Sequence, residues 1–319
     1  MSVPVPPRFR AAVAETRAGL SGGELLLFDL LCLSAVLGYQ LPQDDINHRD
    51  LKGRLDPRPR LARGLHRMLD HGSALDQGEW KTAGARLVRR LTRTLRSRDL
   101  TAQDAEGNFE PLRSLLSFAP SILAVDCVVP EQPIARVAWT TIIRVLGAVH
   151  PSKVARVPLP WIDARRLAIL TREARRASRP DRDASGARPG ISGRHLAVDP
   201  RLAAAVGRAL GEPLEPDLIA RYVFYARPGD YFWPHTDSVL VHVNVFICLE
   251  HHMPSDARRP SAFVAFRADG RATRFELSPG DAIAAHTQGC VHAREPLQDG
   301  ERMTLLAIAL RPRQARPRQ

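Results

Sequence analysis

The first half of the chain is helical in pattern, because its apolar residues recur at intervals of three and four. Ser21 and Glu24 fit a capping box, in which each side chain bonds to the backbone N–H at the other's position, and an apolar run at residues 25–37 follows. Over residues 85–98 the apolar positions form one helical stripe, with most arginines off it. Further helices are predicted at residues 134–149, 163–177 and 200–210.

The second half is made of shorter segments of strand length. It follows residues 178–193, where Pro, Gly, Ser, Asp and Arg without apolar periodicity predict a mobile loop. Pro-Gly-Asp sequences at residues 228–230 and 279–281 favour tight turns, since proline presets φ and glycine tolerates positive φ. Strands are predicted at residues 219–225, 239–249, 262–266, 273–277, 282–285 and 303–310.

These patterns predict an α+β protein in which a helical region at residues 1–150 precedes a catalytic domain at residues 151–313. Many short strands separated by turns are typical of a barrel or jelly roll. The apolar stripe of the helical region must be buried, so we expect this region to pack against the barrel and to shape one wall of the substrate entrance or support the barrel. A basic tail occupies residues 314–319.

Composition fits a globular protein. The 319 residues are 44% apolar, which is enough for a sizeable core. The four cysteines have no paired C-x-x-C spacing, and no signal peptide is apparent. The run at residues 25–37 is shorter than the ~20 residues that span a bilayer. We therefore expect reduced thiols, a cytoplasmic location and no membrane segment.

The net charge of +12 and the pI of about 10.6 would attract polyanions, so a nucleic acid and an acidic small substrate both stay open. Nearly all the basic residues are arginine. A GC-rich genome produces that bias as readily as phosphate recognition does. Charge alone therefore does not choose a partner.

The first candidate for chemistry is a His-x-Asp pair. His235 and Asp237 stand two positions apart at the predicted entrance to a strand, so the pleat points both side chains to one face. That face can offer an imidazole nitrogen and a carboxylate oxygen to one metal ion. A second His-x-Asp, at His48 and Asp50, lies in the helical half with no strand after it and is not expected to bind metal.

The residues that follow make the first pair more specific. A turn, a short apolar strand and a loop lead to His292, Arg302 comes ten positions later, and Thr304 lies two beyond it. In this order the chain resembles the Fe(II)/2-oxoglutarate dioxygenase superfamily, whose pattern is His-x-Asp, a long gap, a distal His and a basic residue about ten positions on. The resemblance runs from residue 219 to residue 310.

The approach to the His-x-Asp pair adds to the resemblance. A tyrosine, a glycine-containing turn and a proline precede it, here Tyr225, Pro228-Gly229 and Pro234, as in prolyl-hydroxylase-type members. The resemblance implies a double-stranded β-helix (jelly-roll or cupin-like) barrel and an enzyme that uses Fe(II), 2-oxoglutarate and O₂, with ascorbate as a possible stimulant. The implied reaction hydroxylates a small-molecule or amino-acid-derived substrate and releases succinate and CO₂.

The resemblance also implies a role for each site residue. His235, Asp237 and His292 would bind iron, Arg302 would bind the far carboxylate of 2-oxoglutarate, and Thr304 and Tyr225 would assist it.

Alternatives remain open at this point. His286 competes with His292 as the distal ligand, and Arg302 has acidic neighbours that would suit a surface ion pair. In another class, the basic helix at residues 85–98 and the basic tail would contact the phosphates of a nucleic acid. A nucleic-acid dealkylase of the same superfamily would combine the oxygenase and nucleic-acid interpretations, but the Arg-x-Asn-x-Thr-x-Arg run of those enzymes is missing after His292. The small-molecule oxygenase is the favoured interpretation.

Overall fold

A computed structural model describes most of the chain. It covers residues 5–39, 76–103, 109–124, 127–178, 186–254 and 259–313. The second His-x-Asp pair, the basic tail and residues 179–185 of the predicted loop lie outside the described residues.

The helices of the described residues divide between the two halves of the chain. They are α1 (Pro7–Ala18), α2 (Gly22–Tyr39), α3 (Gln77–Arg96), α4 (Pro111–Leu116), α5 (Pro120–Leu123), α6 (Pro133–Val149), α7 (Ala164–Ala177), α8 (Ile191–Ala197) and α9 (Pro200–Leu210). Helices α6, α7 and α9 lie where the apolar periodicity predicted them. Helix α3 begins earlier than predicted, because Trp80 and Ala83 continue the buried stripe of Leu87, Leu91 and Leu95.

The strands form two antiparallel sheets. They are β1 (Val154–Arg156), β2 (Gly186–Ala187), β3 (Leu214–Tyr225), β4 (Phe232–His235), β5 (Val243–His252), β6 (Phe263–Phe266), β7 (Ala272–Phe275), β8 (Ala282–Ala285), β9 (His292–Arg294) and β10 (Arg302–Pro312). The larger sheet has the order β1-β8-β5-β10-β3-β2, and the smaller has the order β4-β9-β6-β7. Mixed helices and antiparallel sheets confirm the α+β class, whereas closure of the sheets into a double-stranded β-helix stays a prediction.

Some short elements were not predicted. Strands β1, β2, β4 and β9 are two to four residues long, which is too short for a visible alternation of apolar and polar positions. Strand β2 and the start of α8 fall inside residues 178–193, so the part of the predicted loop that the structure describes is interrupted by regular structure.

The sheets lie between two layers of helices. One core joins the inner faces of the two sheets, with Leu305 of β10 and Phe263 of β6 among its members. A second core lies between the opposite face of the larger sheet, including Leu306, and helices α7 to α9. A third joins the smaller sheet to the N-terminal helices. Consecutive residues of β10 therefore face different cores, as the pleat requires.

The N-terminal helices and the smaller sheet share their core directly. Trp139 of α6 packs edge-on against Phe266 of β6, with ring centroids 4.8 Å apart, and its indole N–H donates to the carbonyl oxygen of Gly270 at 3.2 Å. Trp233 and Val291 belong to the same cluster. The helical region thus packs against the sheets, while a domain boundary near residue 150 stays a prediction.

Helix α2 is long and apolar enough to cross a bilayer by length and composition alone. Its mean hydropathy is 1.5, and 67% of it is buried inside the structure. The core helix of a globular protein meets the same criteria, and α2 packs against α3, α4 and α5.

Candidate metal centre and its cavity

Two short paired strands bring the predicted histidine ligands together. Strand β4 ends at His235 and β9 begins at His292, and these residues are direct partners in the antiparallel register. Asp237 lies two residues beyond β4, where its backbone N–H donates to the carbonyl oxygen of Thr287 at 2.9 Å. His235 thus ends a strand, instead of entering one as predicted, and a loop contact holds Asp237.

The three side chains converge on one small volume. The Nε2 atom of His235 lies 3.5 Å from Oδ1 of Asp237, and Nε2 of His292 lies 4.0 Å from the same oxygen. One donor atom from each residue lies within 4.8 Å of the other two. Donors held about 2.0–2.2 Å from one ion are separated by roughly 3–4 Å. This set, the triad hereafter, therefore has the spacing of a single metal site.

Backbone carbonyl groups fix both imidazoles in the orientation that a metal needs. Nδ1–H of His235 donates to the carbonyl oxygen of Trp233 at 2.8 Å, and Nδ1–H of His292 donates to that of Cys290 at 3.1 Å. Because a carbonyl oxygen only accepts, the ring proton lies on Nδ1 and the Nε2 lone pair faces the triad. Partners of this kind commonly orient metal-bound histidines.

The charges of the triad suit a divalent cation. Burial, followed by the charge of His235, lowers the pKa of His292 to about 4, so its imidazole is neutral at neutral pH. Burial raises the pKa of Asp237, but its interactions with the His235 and His292 rings outweigh that effect and hold the pKa well below the ordinary range. Asn244 donates to Oδ2 of Asp237 at 3.1 Å, which leaves Oδ1 towards the imidazoles. Two imidazole nitrogens and one carboxylate oxygen fit Fe(II).

The two histidines that competed for the distal position lie in different surroundings. The triad contains His292, whereas His286 points its Nε2 atom at Oε1 of Glu212, 2.6 Å away. His286 belongs to a separate group with Glu212 and His242.

Arg302 and Thr304 do not lie with the triad. On β10 they alternate with Met303 and Leu305, which belong to the core between the sheets. Arg302 and Thr304 instead line a groove beside α7, on the opposite face of the larger sheet, and Arg302 is exposed. The pleat therefore directs both side chains away from the cavity of the triad, so their sequence-based assignment to 2-oxoglutarate is not supported by their position.

Tyr225 does line the cavity of the triad. Burial raises the pKa of its phenol to about 12, so the hydroxyl group stays protonated at neutral pH. The guanidinium carbon of Arg294 lies 5.8 Å from its ring centroid.

Arg294 is the residue of this cavity that sequence reasoning missed. It stands two residues after His292 on β9, so both side chains share a face, and it is only 2% exposed. Its Nη2 donates to Oγ of Ser261 at 2.6 Å and lies 4.0 Å from Oε1 of Glu301. Its Nε and Nη1 atoms have no hydrogen-bond partner among the described residues. In the sequence, the spacing of two residues from His292 was the signal that could have placed Arg294 on the same face as the triad.

The remaining walls of this cavity are mostly apolar. Phe232 packs at a tilt beside the triad, with its ring centroid 4.1 Å from that of His235. Phe263 lies almost parallel to His292, at 5.5 Å. Its other lining residues include Arg221, Val223, Phe246, Leu305 and Ala307.

A second cavity, of about 240 Å³, opens on the other side of Asp237. Its described walls combine Thr236, Asp237, Ser238 and Val239 with residues of the N-terminal half, including Phe9 and Phe118. The helical region thus forms one wall of a cavity that reaches a triad residue.

Arg113 of α4 connects that wall to the metal centre. It is buried, and its Nη2 donates to the carbonyl oxygens of Asp237 at 3.2 Å and Gln288 at 3.0 Å. Burial lowers its pKa to about 10, which still leaves it charged at neutral pH. The sequence carries no signal for this contact, because the residues are 124 and 175 positions apart.

Comparison with known proteins found no matching family model and no matching curated protein. Solved structures similar to the chain include a Pseudomonas putida prolyl-4-hydroxylase, at 20% identity and a TM-score of 0.37 over 55% of this chain and 100% of that one. They also include the non-heme α-ketoglutarate-dependent epimerase SnoN of nogalamycin biosynthesis, at 16% identity and 0.38 over 55% and 83%. EctD from S. alaskensis, solved with 2-oxoglutarate and 5-hydroxyectoine, has 13% identity and 0.39 over 52% and 74%. The chain thus resembles the Fe(II)/2-oxoglutarate oxygenases in the order of its site residues, and enzymes of that kind are among the solved structures to which it is similar.

Proposed function

We propose that this protein is an Fe(II)- and 2-oxoglutarate-dependent oxygenase that hydroxylates a C–H bond of a small-molecule or amino-acid-derived substrate and releases succinate and CO₂. The observation that carries the proposal is one cavity holding two complementary features. The triad offers two imidazole nitrogens and a carboxylate, and a buried arginine keeps two nitrogens without partners among the described residues. A metal ion accounts for the first feature, and an anionic ligand accounts for the second.

The triad residues would hold the iron. When bound, Fe(II) with three protein ligands keeps open positions for a 2-oxo acid and O₂ and supplies the oxidation chemistry. The protein's own contribution is orientation: the carbonyl groups of Trp233 and Cys290 direct the imidazoles, and Asn244 holds the second oxygen of Asp237. In the superfamily that the chain resembles, halogenating members carry a small residue at this carboxylate position, so Asp237 favours hydroxylation.

Arg294 is the proposed anchor for the far carboxylate of 2-oxoglutarate. A guanidinium group binds a carboxylate through charge-assisted hydrogen bonds, and Arg294 has two nitrogens without partners among the described residues, Nε and Nη1. Its burial strengthens such a pair, since the surroundings screen the charges less than water does. The protonated hydroxyl group of Tyr225, at the same cavity wall, is a further candidate donor.

The cavity beside Asp237 is the proposed substrate site. Phe9 and Phe118 supply apolar walls, and Arg113 ties the loops of the metal centre to helix α4. In this view the helical region helps to orient the substrate and the loop of Asp237, and supplies no iron ligand.

A turnover assay tests the proposed function. Full-length protein with Fe(II), ascorbate and 2-oxoglutarate should convert 2-oxoglutarate to succinate, and Asp237→Ala should abolish this conversion. The exposed His195 provides a control, because His195→Ala removes an imidazole that does not line the cavity and should leave turnover unchanged. Equal succinate formation by wild type and Asp237→Ala would rule out the proposal.

Binding of a nucleic acid is not favoured by the surroundings of the basic helix α3. Arg90 donates to the carbonyl oxygen of Gly19, and Arg96 donates to that of Ala148. Two of its arginines are therefore occupied in joining the helices to one another.

A further inference from the structure

A second group of potential metal ligands lies at one end of the larger sheet. Glu212 stands between α9 and β3, His242 precedes β5, and His286 follows β8. Gly211 ends α9 in the left-handed conformation, with φ 82°, which turns the chain so that Glu212 reaches this end of the sheet. The proposed oxygenase chemistry uses none of these three side chains.

The donor atoms of this group converge on one carboxylate oxygen at hydrogen-bond distances, which a bound ion would widen to roughly 3–4 Å. Oε1 of Glu212 lies 2.6 Å from Nε2 of His286 and 3.0 Å from Nε2 of His242. One donor from each residue lies within 4.8 Å of the other two. Two imidazole rings from different strands thus direct the same kind of nitrogen at a single carboxylate oxygen.

Both ring nitrogens of His286 face oxygen atoms that accept hydrogen bonds. Nδ1 lies 3.3 Å from the carbonyl oxygen of Lys153, which can only accept, so Nδ1 carries a proton. Nε2 faces Oε1 of Glu212, and a carboxylate oxygen also accepts. Two acceptors at 2.6 Å repel each other unless a proton or a metal ion lies between them.

The surroundings supply a further neutral nitrogen. His150 has a buried Nε2 atom with no hydrogen-bond partner among the described residues. Burial, together with the charges of Arg113 and His242, lowers the pKa of His150 to about 4, so its imidazole is neutral at neutral pH.

We propose that Glu212, His242 and His286 form a second divalent-metal site, separate from the triad, for an ion of the zinc class. Two imidazole nitrogens and one carboxylate oxygen are a common protein ligand set for Zn(II), with water completing the coordination. His286 is adjacent to Thr287, whose carbonyl oxygen accepts the backbone N–H of Asp237. A bound ion would therefore fix the ends of β5 and β8 and the loop that holds Asp237.

Zinc stoichiometry tests the proposal on the full-length protein. After treatment with a chelator, wild type titrated with Zn(II) alone should bind two equivalents, one at the triad and one at the second site. The variant Glu212→Gln/His242→Ala should lose one equivalent, and His235→Ala/Asp237→Ala should lose the other. His195→Ala is the matched control and should keep both.

The outcomes separate this proposal from that of the oxygenase. If Glu212→Gln/His242→Ala binds as much Zn(II) as wild type, the second site is refuted, whatever the triad does. If only the triad variant keeps its full stoichiometry, the iron site fails while the second site stands. Glu212 and His242 are partly exposed, with side chains 26% and 17% accessible, so their replacement spares the core.

Thermal unfolding gives a second readout that does not depend on counting ions. In the triad double variant, excess Zn(II) should raise the melting temperature by about 2–4 °C or more, because the ion binds only the folded chain. Adding Glu212→Gln to that background should remove the rise. A rise that persists in the combined variant would also overturn the proposal.

Discussion

Arg294 is the residue on which the co-substrate assignment depends, and Arg294→Met is the most informative substitution. Methionine keeps an unbranched side chain of similar length but removes the guanidinium group. The two unpartnered nitrogens, Nε and Nη1, are the ones available to a carboxylate. Losing charge-assisted hydrogen bonds of this kind costs roughly 1.5–3 kcal/mol of binding. At about 1.4 kcal/mol per factor of ten, the KM for 2-oxoglutarate should rise roughly 10- to 150-fold.

The same substitution should change stability little. It removes the hydrogen bond from Nη2 to Ser261, worth about 1 kcal/mol, and a long ion pair with Glu301 at 4.0 Å. It also relieves the burial of a charge, whose unfavourable environment is reflected in the lowered pKa of Arg294. Urea unfolding of the two proteins without ligand measures this difference.

Arg302→Ala is the comparison variant. It also removes a guanidinium group, but from the face of the larger sheet that is turned away from the triad. Succinate formation at varied 2-oxoglutarate gives the KM of each variant, and Arg302→Ala should leave that KM unchanged. A raised KM in Arg302→Ala, together with an unchanged KM in Arg294→Met, would refute the reasoning from strand alternation.

Three further predictions concern the metal, the pH dependence of stability and the helical region. Replacing any one triad residue by alanine should abolish stoichiometric Fe(II) binding, while His286→Ala should leave iron at the triad, as measured by metal analysis after dialysis. Burial raises the pKa of Glu301, but hydrogen bonds from His251 and Ser261 outweigh it and lower that pKa to about 2. Since the ordinary value is ~4.3, its stabilisation of roughly 3 kcal/mol should be complete above pH ~4.3 and fade towards pH 2, and acid titration of Glu301→Gln should lack this component. A fragment that begins at Val154 should be insoluble or inactive, because it exposes the apolar face that the smaller sheet shares with the N-terminal helices; a soluble fragment as active as the whole chain would contradict this.

The sequence by itself predicted the longer helices and strands in their order and the residues of the candidate metal site. Helix α9 lies at residues 200–210 as predicted, because proline begins it, glycine ends it and its apolar residues keep one face. We selected His235, Asp237 and His292 because the order of these residues along the chain is more specific to a metal site than their residue types alone. Both conclusions rest on spacing along the chain, which a sequence displays directly.

Only the tertiary structure showed that Arg294 lines the cavity of the triad and that Arg302 lines another groove. Strand β10 is central, and Leu305 and Leu306 are both buried although they face different cores. A strand that is apolar on both faces shows no alternation, so its sequence does not reveal which side Arg302 takes. Strand β9 is too short to show a period, so the spacing of two residues from His292 was the sequence signal for the direction of Arg294.

The contacts between distant segments were equally hidden. Arg113 reaches the loop of Asp237 from 124 positions away, and Glu212 meets His286 across 74 positions. Such pairs form because antiparallel strands and packed helices bring their ends to one edge of a sheet, and no local periodicity records where an element will pack. Spacing along the chain therefore selected the ligands of the proposed iron site, while the packing of whole elements placed the proposed anion-binding residue, the proposed substrate wall and the second cluster.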